Sequence, residues 1–189
     1  MRRELADGIE LDDDPARVDL VRSHRAARED PYRLGVGLVG LEAMLRLYSE
    51  QEANARAFSA LARFLDLLDD VPSRAPGRPA LDPLALAFQL KLLWLSGYLP
   101  NLGSCTECGS EGPVVGYSPR AGGAVCRTHA QGSFTLSPEG LAGIELLLST
   151  PLADAGGAGL GDRARREALS VVTSSYEEHG GFRLRTLTA

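Results

Sequence analysis

Hydrophobic positions along most of this chain recur at helical intervals, and the polar residues between them carry helix start and stop signals. Asp30–Pro31 precedes Leu34, Leu38, Leu41, Met44, Leu45 and Tyr48, a stripe that predicts one helix. Gly35, Gly37 and Gly40 weaken it by about 1 kcal/mol each relative to alanine, so close packing against a neighbour must hold it. Asn54 is placed to cap a second helix with Phe58, Leu61, Phe64, Leu65 and Leu68 on one face. Residues 71–80, VPSRAPGRPA, cannot continue a helix. Asp82–Pro83 then opens LALAFQLKLLWLSGY, apolar on nearly every face, which predicts the centre of a bundle. Ser137–Pro138–Glu139 opens a further helix with Leu141, Ile144, Leu147 and Leu148 inward. The last helix runs over about 162–178, with Ala168, Leu169, Val172 and Tyr176 facing in, until Gly180–Gly181 stops it. The tail FRLRTLTA alternates like a strand or a short docked end. Toward the N-terminus, residues 18–29 predict a short arginine-rich helix. Asp14 and Pro15 are suited to cap a helix there, and residues 1–17 read as a flexible segment.

Residues 101–133 break this pattern. Glycine, serine and three cysteines replace the leucines, with short β-branched pieces such as Val114–Val115. The expected fold is therefore mainly α: a helical domain formed by 18–100 and 134–189, with 101–133 as a small zinc-ribbon-like β insert. The insert reads C-T-E-C, seventeen intervening residues that begin with Gly109, then C-R-T-H. Zinc takes four soft or borderline ligands in a tetrahedron, and two knuckles with two residues between ligands supply two each. This assigns Cys105, Cys108, Cys126 and His129, with His129 chosen on spacing alone. Gly109 is placed for the left-handed turn that closes the first knuckle, and Gly122–Gly123 for bending the returning strand into the second.

Three other uses of the cysteines fit the sequence less well. As plain buried hydrophobes they would not fall in paired spacing on both sides of a turn-rich insert. A redox dithiol of C-x-x-C type needs a βαβ setting that is missing here. A catalytic zinc needs an open position, which four protein ligands deny. The expected metal is structural zinc.

Composition narrows the function further. The chain has 189 residues and a net charge of −5, which is the wrong sign for an autonomous nucleic-acid binder. Lys91 is the single lysine, and all other basic residues are arginine. No apolar run spans a membrane and no secretory signal opens the chain, so a cytoplasmic location is expected. Phosphate-binding glycine loops and nucleophile elbows are absent, and no enzyme activity is expected. His24 and His179 read as surface histidines.

The segments LVRSHRAARED at 20–30, LLWLSGYLPNLGSCTECG at 92–109 and YSPRAGGAVCRTHA at 117–130 together resemble the RecO family of recombination mediators. A generic zinc ribbon would not carry both flanks. The resemblance runs from Val18 to Leu148 and covers the helical and zinc-binding part. Too few residues precede Val18 for the five-stranded OB-fold of such proteins. In that family the second knuckle is commonly C-x-x-C, and here His129 takes the last place. The resemblance implies DNA repair: helping load RecA onto single strands coated by single-stranded-DNA-binding protein, together with RecR. It further implies that the helical domain receives the acidic C-terminal tail of the single-stranded-DNA-binding protein, whereas contact with single-stranded DNA is in doubt without the OB-fold. For that tail the sequence offers Lys91 between Phe88 and Leu92, a cation in an apolar setting, although a lysine reaching from a buried helix to water reads the same way. Arg22, Arg25 and Arg28 form a second basic strip that a solvated face explains equally well. Two rival readings are a zinc-ribbon interaction adaptor outside repair and a zinc-dependent nucleic-acid hydrolase.

Overall fold

The computed structural model describes residues 3–5, 9–11, 20–48, 54–70 and 77–188. The fold is mainly α with a small antiparallel β insert, as the hydrophobic pattern predicts. Within the N-terminal segment, β1 (Arg3–Leu5) and β2 (Ile9–Leu11) pair antiparallel. The cap expected at Asp14 and Pro15 lies outside the described residues.

Helix α1 is Arg25–Glu29, shorter than expected, because residues 20–24 are held in extended or turn geometry. His24, at φ 44°, donates through Nε2 to the Asp66 carboxylate at 2.9 Å, and Asp69 accepts from the Ala27 amide. Helix α2 (Pro31–Leu47) starts where expected: the Asp30 carboxylate accepts from the Tyr32 and Arg33 amides. Its buried face differs from the expected leucine stripe. Val36, Gly37, Val39, Gly40 and Ala43 face inward, whereas Leu38 and Leu45 are 46% and 76% exposed. Small residues let α3 (Ala55–Asp70) approach closely, and larger leucines would hold it off. Asn54 caps α3 through the Ala57 amide.

Helix α4 (Pro83–Leu95) is the centre of the bundle. Asp82 caps it through the Leu84 amide and also accepts from the Tyr32 hydroxyl. All of α4 except Lys91, Trp94 and Leu95 is buried. Each fully buried Leu or Phe there contributes about 1.5–3 kcal/mol relative to exposure. Gln89 is the one polar side chain on its inner surface. It donates to the Val39 carbonyl at 2.9 Å and accepts from the Tyr176 hydroxyl, so its burial is compensated.

The insert follows as β3 (Val114–Ser118), β4 (Gly123–Cys126) and β5 (Phe134–Thr135), in the order β4-β3-β5. Helix α5 (Pro138–Ser149) opens with Ser137 as cap, and Glu167 accepts from both the Ser137 amide and hydroxyl. The Gly/Ala stretch after it forms a short helix, α6 (Leu152–Ala155), and α7 (Asp162–Ser175) continues into a π turn at Tyr176–Gly180.

The tail resolves as helix α8 (Arg185–Thr188) rather than a strand. Its open N-terminal amides need acceptors, and Glu42 supplies them. That carboxylate accepts from the Arg185 amide, the Thr186 amide and the Thr186 hydroxyl. Partial burial alone would raise the Glu42 pKa, but these donors, with Arg46 nearby, outweigh it and hold the group below the usual carboxylate range. A depressed folded value stabilises the ionised, docked state above the ordinary carboxylate pKa, and that stabilisation is lost as pH falls through the folded value. Exchange protection of the Thr186 and Leu187 amides should therefore fall on acidification below about pH 4. In Glu42→Gln it should already be reduced at neutral pH; an unchanged pH profile in that variant would exclude the mechanism.

Candidate metal centre

Two tight turns at one end of the insert bring together the residues expected to hold a metal. In the first, the Gly109 amide donates to the Cys105 carbonyl at 2.7 Å and the Cys105 amide to the Ser110 carbonyl at 2.9 Å. Gly109 has φ 71°, the left-handed conformation expected from its place after the cysteine pair. In the second, Cys126 ends β4 and starts a single helical turn, Arg127–His129. The two turns are fastened to each other through Thr106, whose amide and hydroxyl both donate to the Ala124 carbonyl, at 2.9 and 2.7 Å.

Strand β4 reaches this point because Gly122, at φ 72°, closes the β3–β4 turn onto the Pro119 carbonyl. Gly123 lies so close to the Asn101 carbonyl that a β-carbon would overlap it.

One ligand atom from each of Cys105, Cys108, Cys126 and His129 lies within 4.8 Å of the others. His129 Nδ1 is 3.4 Å from Cys126 Sγ and 3.7 Å from Cys105 Sγ. A tetrahedron with metal–sulfur bonds of about 2.3 Å and a metal–nitrogen bond of about 2.0 Å has edges of this length. The donor set, three sulfurs and an imidazole nitrogen, therefore fits one small divalent ion. The electrostatics agree. The Cys126 amide, opposed by burial and joined by the amides of Cys108 and Glu107, holds the Cys105 thiol down to about 6. His129 lowers the Cys126 thiol, and Cys126 and Cys105 in turn raise the His129 imidazole. Cys108 goes the other way: the Ser110 amide lowers it, but Cys105, burial and Cys126 outweigh that and raise it, so the thiolate character lies on Cys105 and Cys126. Cys105 is buried and Cys108 is exposed, so the site lies at the surface with one face toward the protein.

The insert is joined to the helices by the Tyr117 hydroxyl, 3.0 Å from Ser175 Oγ, and Tyr117, Ala124 and Leu136 enter the common core. His179 packs on the Gly122 turn and stacks on Tyr98, with ring centroids 6.5 Å apart.

The second group of expected site residues separates. Phe88 and Leu92 are fully buried, and Phe88 stacks on Phe64 at 4.3 Å. They are core because α4 is surrounded on those sides. Lys91 instead lies on a groove of about 630 Å³, with Trp94, Leu95, Leu99, Leu148 and Glu145 around it. Trp94 is 61% exposed, and the periodicity of α4 alone does not distinguish it from its buried neighbours. Lys91 Nζ donates to the Leu148 carbonyl at 2.8 Å, and burial lowers its basicity. The groove is completed by Ala60 of α3. Arg56 and Arg63, four residues before and three after Ala60, share that face of α3 and are exposed. They put basic charge on the helix face next to the groove, whose own charged lining residues are Lys91 and Glu145. By contrast the strip at Arg22, Arg25 and Arg28 is used internally: Arg22 pairs with Asp66 and Asp70, Arg25 with Glu29, and Arg28 donates to the Ser23 carbonyl.

No helix among the described residues is long and apolar enough to cross a membrane. The family model described as "Recombination protein O C terminal" matches residues 28–188. The chain is similar to the DNA repair protein RecO of Rubrobacter xylanophilus, 35% identical over 156 residues, covering 79% of this chain and 60% of that protein. It is also similar to the DNA repair protein RecO of Anaeromyxobacter sp. (strain K), 33% identical over 174 residues, covering 88% of this chain and 65% of that protein. The chain thus spans about 60 to 65% of the length of these relatives. A match that takes in both the helices and the two metal knuckles places this chain in the recombination protein O C-terminal family.

Proposed function

We propose that the chain acts in DNA repair as a non-enzymatic mediator of RecO type in the cytoplasm, working with RecR to help load RecA onto single-stranded DNA coated by single-stranded-DNA-binding protein. The observation that carries this reading is the family match over residues 28–188, joined by relatives named DNA repair protein RecO. In it, Cys105, Cys108, Cys126 and His129 hold a structural zinc ion. When bound, the ion supplies a fixed tetrahedral cross-link and no open position for chemistry. The chain's own residues do the rest: Thr106 ties the two knuckles together, and Tyr117 ties the insert to α7.

The acidic C-terminal tail of the single-stranded-DNA-binding protein docks in the groove beside Lys91. The groove has an apolar floor for a terminal hydrophobic side chain, an ammonium at one wall for its carboxylate, and arginines on the neighbouring helix face for acidic residues further back. The net charge of −5 makes such local basic charge, rather than the whole surface, the attractive feature.

The test is binding of a fluorescent peptide with the tail sequence, read by anisotropy. Micromolar binding is expected, weakened about tenfold or more by Trp94→Ala, which removes the exposed aromatic wall. An absence of binding by the folded, metal-loaded protein would overturn the tail-binding reading.

A further inference from the structure

Resting on the structural-zinc reading above, we propose that Cys108 is the exchangeable ligand of the metal centre. It is the side from which the ion is taken up and withdrawn, while Cys105, Cys126 and His129 form a fixed cradle. The fold holds the four residues unequally, and that inequality sets their roles.

Three of them are tied into the rest of the molecule. Cys105 is 1% exposed, and the chain on both sides of it is bonded to β4 and the turn before it. Ahead of it, the Asn101 amide donates to the Gly122 carbonyl and the Asn101 carbonyl accepts from the Ala124 amide. Behind it, Thr106 donates twice to the Ala124 carbonyl. Cys126 ends β4 and pairs with Val114 of β3, and Val125 beside it is fully buried. His129 stands in the single turn that Cys126 starts, with Nδ1 at 3.4 Å and 3.7 Å from the Cys126 and Cys105 sulfurs. Withdrawing any of these donors breaks strand pairing or disturbs that turn.

Cys108 is held differently. It is exposed, as are Glu107 and every residue from Gly109 to Pro113. The hydrogen bonds of this stretch close within the knuckle itself. The Gly109 amide donates to the Cys105 carbonyl, the Ser110 carbonyl accepts from the Cys105 amide, and the Gly112 amide donates to the Ser110 hydroxyl. A β-carbon at Gly109 would meet no atom within 4 Å, so the backbone beside Cys108 has room to turn. A surface turn with such contacts opens at lower cost than a paired strand over a core. In the exchange Cys108 Sγ leaves with its electron pair and takes a proton from water, and a donor atom of a small thiolate or chelator takes its place. Three protein ligands plus one exchangeable donor is an ordinary set for zinc, so the cradle keeps its hold meanwhile.

The full chain is loaded with an equimolar amount of zinc and treated with limiting N-ethylmaleimide. Mass spectrometry of peptides maps the first modification, and native mass spectrometry counts the ion. Cys108 is expected to react at least about fivefold faster than Cys105 or Cys126, as its access to solvent dictates. The singly modified chain is expected to keep its zinc. First modification at Cys105 or Cys126, or loss of the ion with the first maleimide, overturns the proposal and leaves the zinc reading standing. In zinc, Cys108→Ser should keep an insert protected from hydrogen exchange while releasing the ion to a colorimetric chelator about tenfold faster than the unaltered chain. An insert that exchanges as freely as that of Cys105→Ser overturns the proposal as well. If the unaltered chain takes up no zinc, the structural-zinc reading fails and the proposal falls with it.

Discussion

Replacing Cys105 by serine is expected to lower zinc affinity by more than about 100-fold, beyond the loss that follows from removing a supporting hydrogen bond alone. Cys105 is the buried member of the cluster. Its sulfur faces amides from both knuckles, including that of Cys126, so it links the two halves of the site. A serine hydroxyl is a hard, neutral donor and cannot stand in for a thiolate. The insert should then exchange its amides freely from about residue 101 to 135, because metal binding to a small module is folding free energy. The bundle should persist, since α4 is buried by α2, α3, α5 and α7 without help from the ion. Hydrogen exchange resolved by segment distinguishes the two regions, and helical circular dichroism reports on the bundle. Chelation of the unaltered protein should reproduce the same pattern. A folded insert in the metal-free variant would show that the ion is not its brace.

Gly40→Ala is expected to destabilise the bundle by about 2 kcal/mol, even though alanine is the better helix former by about 1 kcal/mol. Two effects compete at this position. A β-carbon at Gly40 would overlap a ring carbon of Phe64 and press on Phe88 at 3.0 Å. Both rings are fully buried and stacked on each other, with planes 13° apart, so neither can swing into solvent. Overpacking a rigid pair outweighs the propensity gain. Combining Gly40→Ala with Phe64→Leu should recover part of the loss, because the smaller side chain vacates the contested space. Urea unfolding of the two single variants and the double variant measures the coupling. A stabilised Gly40→Ala would mean that the helices move apart at negligible cost.

These two sites illustrate what was readable in advance. The starts of α2, α3, α4 and α5 were legible because Asp30, Asn54, Asp82 and Ser137 each satisfy amides that any helix leaves open, a local requirement. The centrality of α4 followed from its having no polar face, and the gathering of the cysteines and His129 from their paired spacing, which is also local chemistry. The face of α2 was not legible. Its leucines have the stronger periodic signal, yet the core takes Val36, Gly37, Val39, Gly40 and Ala43, since the distance between packed helices is decided by both partners. The same holds for the groove. Phe88, Lys91 and Leu92 are neighbours along α4, but only Lys91 reaches the open side, where Ala60 and Leu148 arrive from elsewhere in the chain.

From the sequence alone, then, came the class of fold, the helix caps, the gathering of three cysteines and a histidine that could hold a metal ion, and the likeness to the RecO family, all set by short-range spacing and side-chain chemistry. The tertiary structure alone decided which apolar residues are core and which are surface. It also decided that Arg22 is spent internally on Asp66 and Asp70 while Arg56 and Arg63 stay exposed on the helix face next to a groove, and that Glu42 holds the chain's far end. Those outcomes depend on segments tens of residues apart meeting in space, and no local pattern records which surfaces will meet.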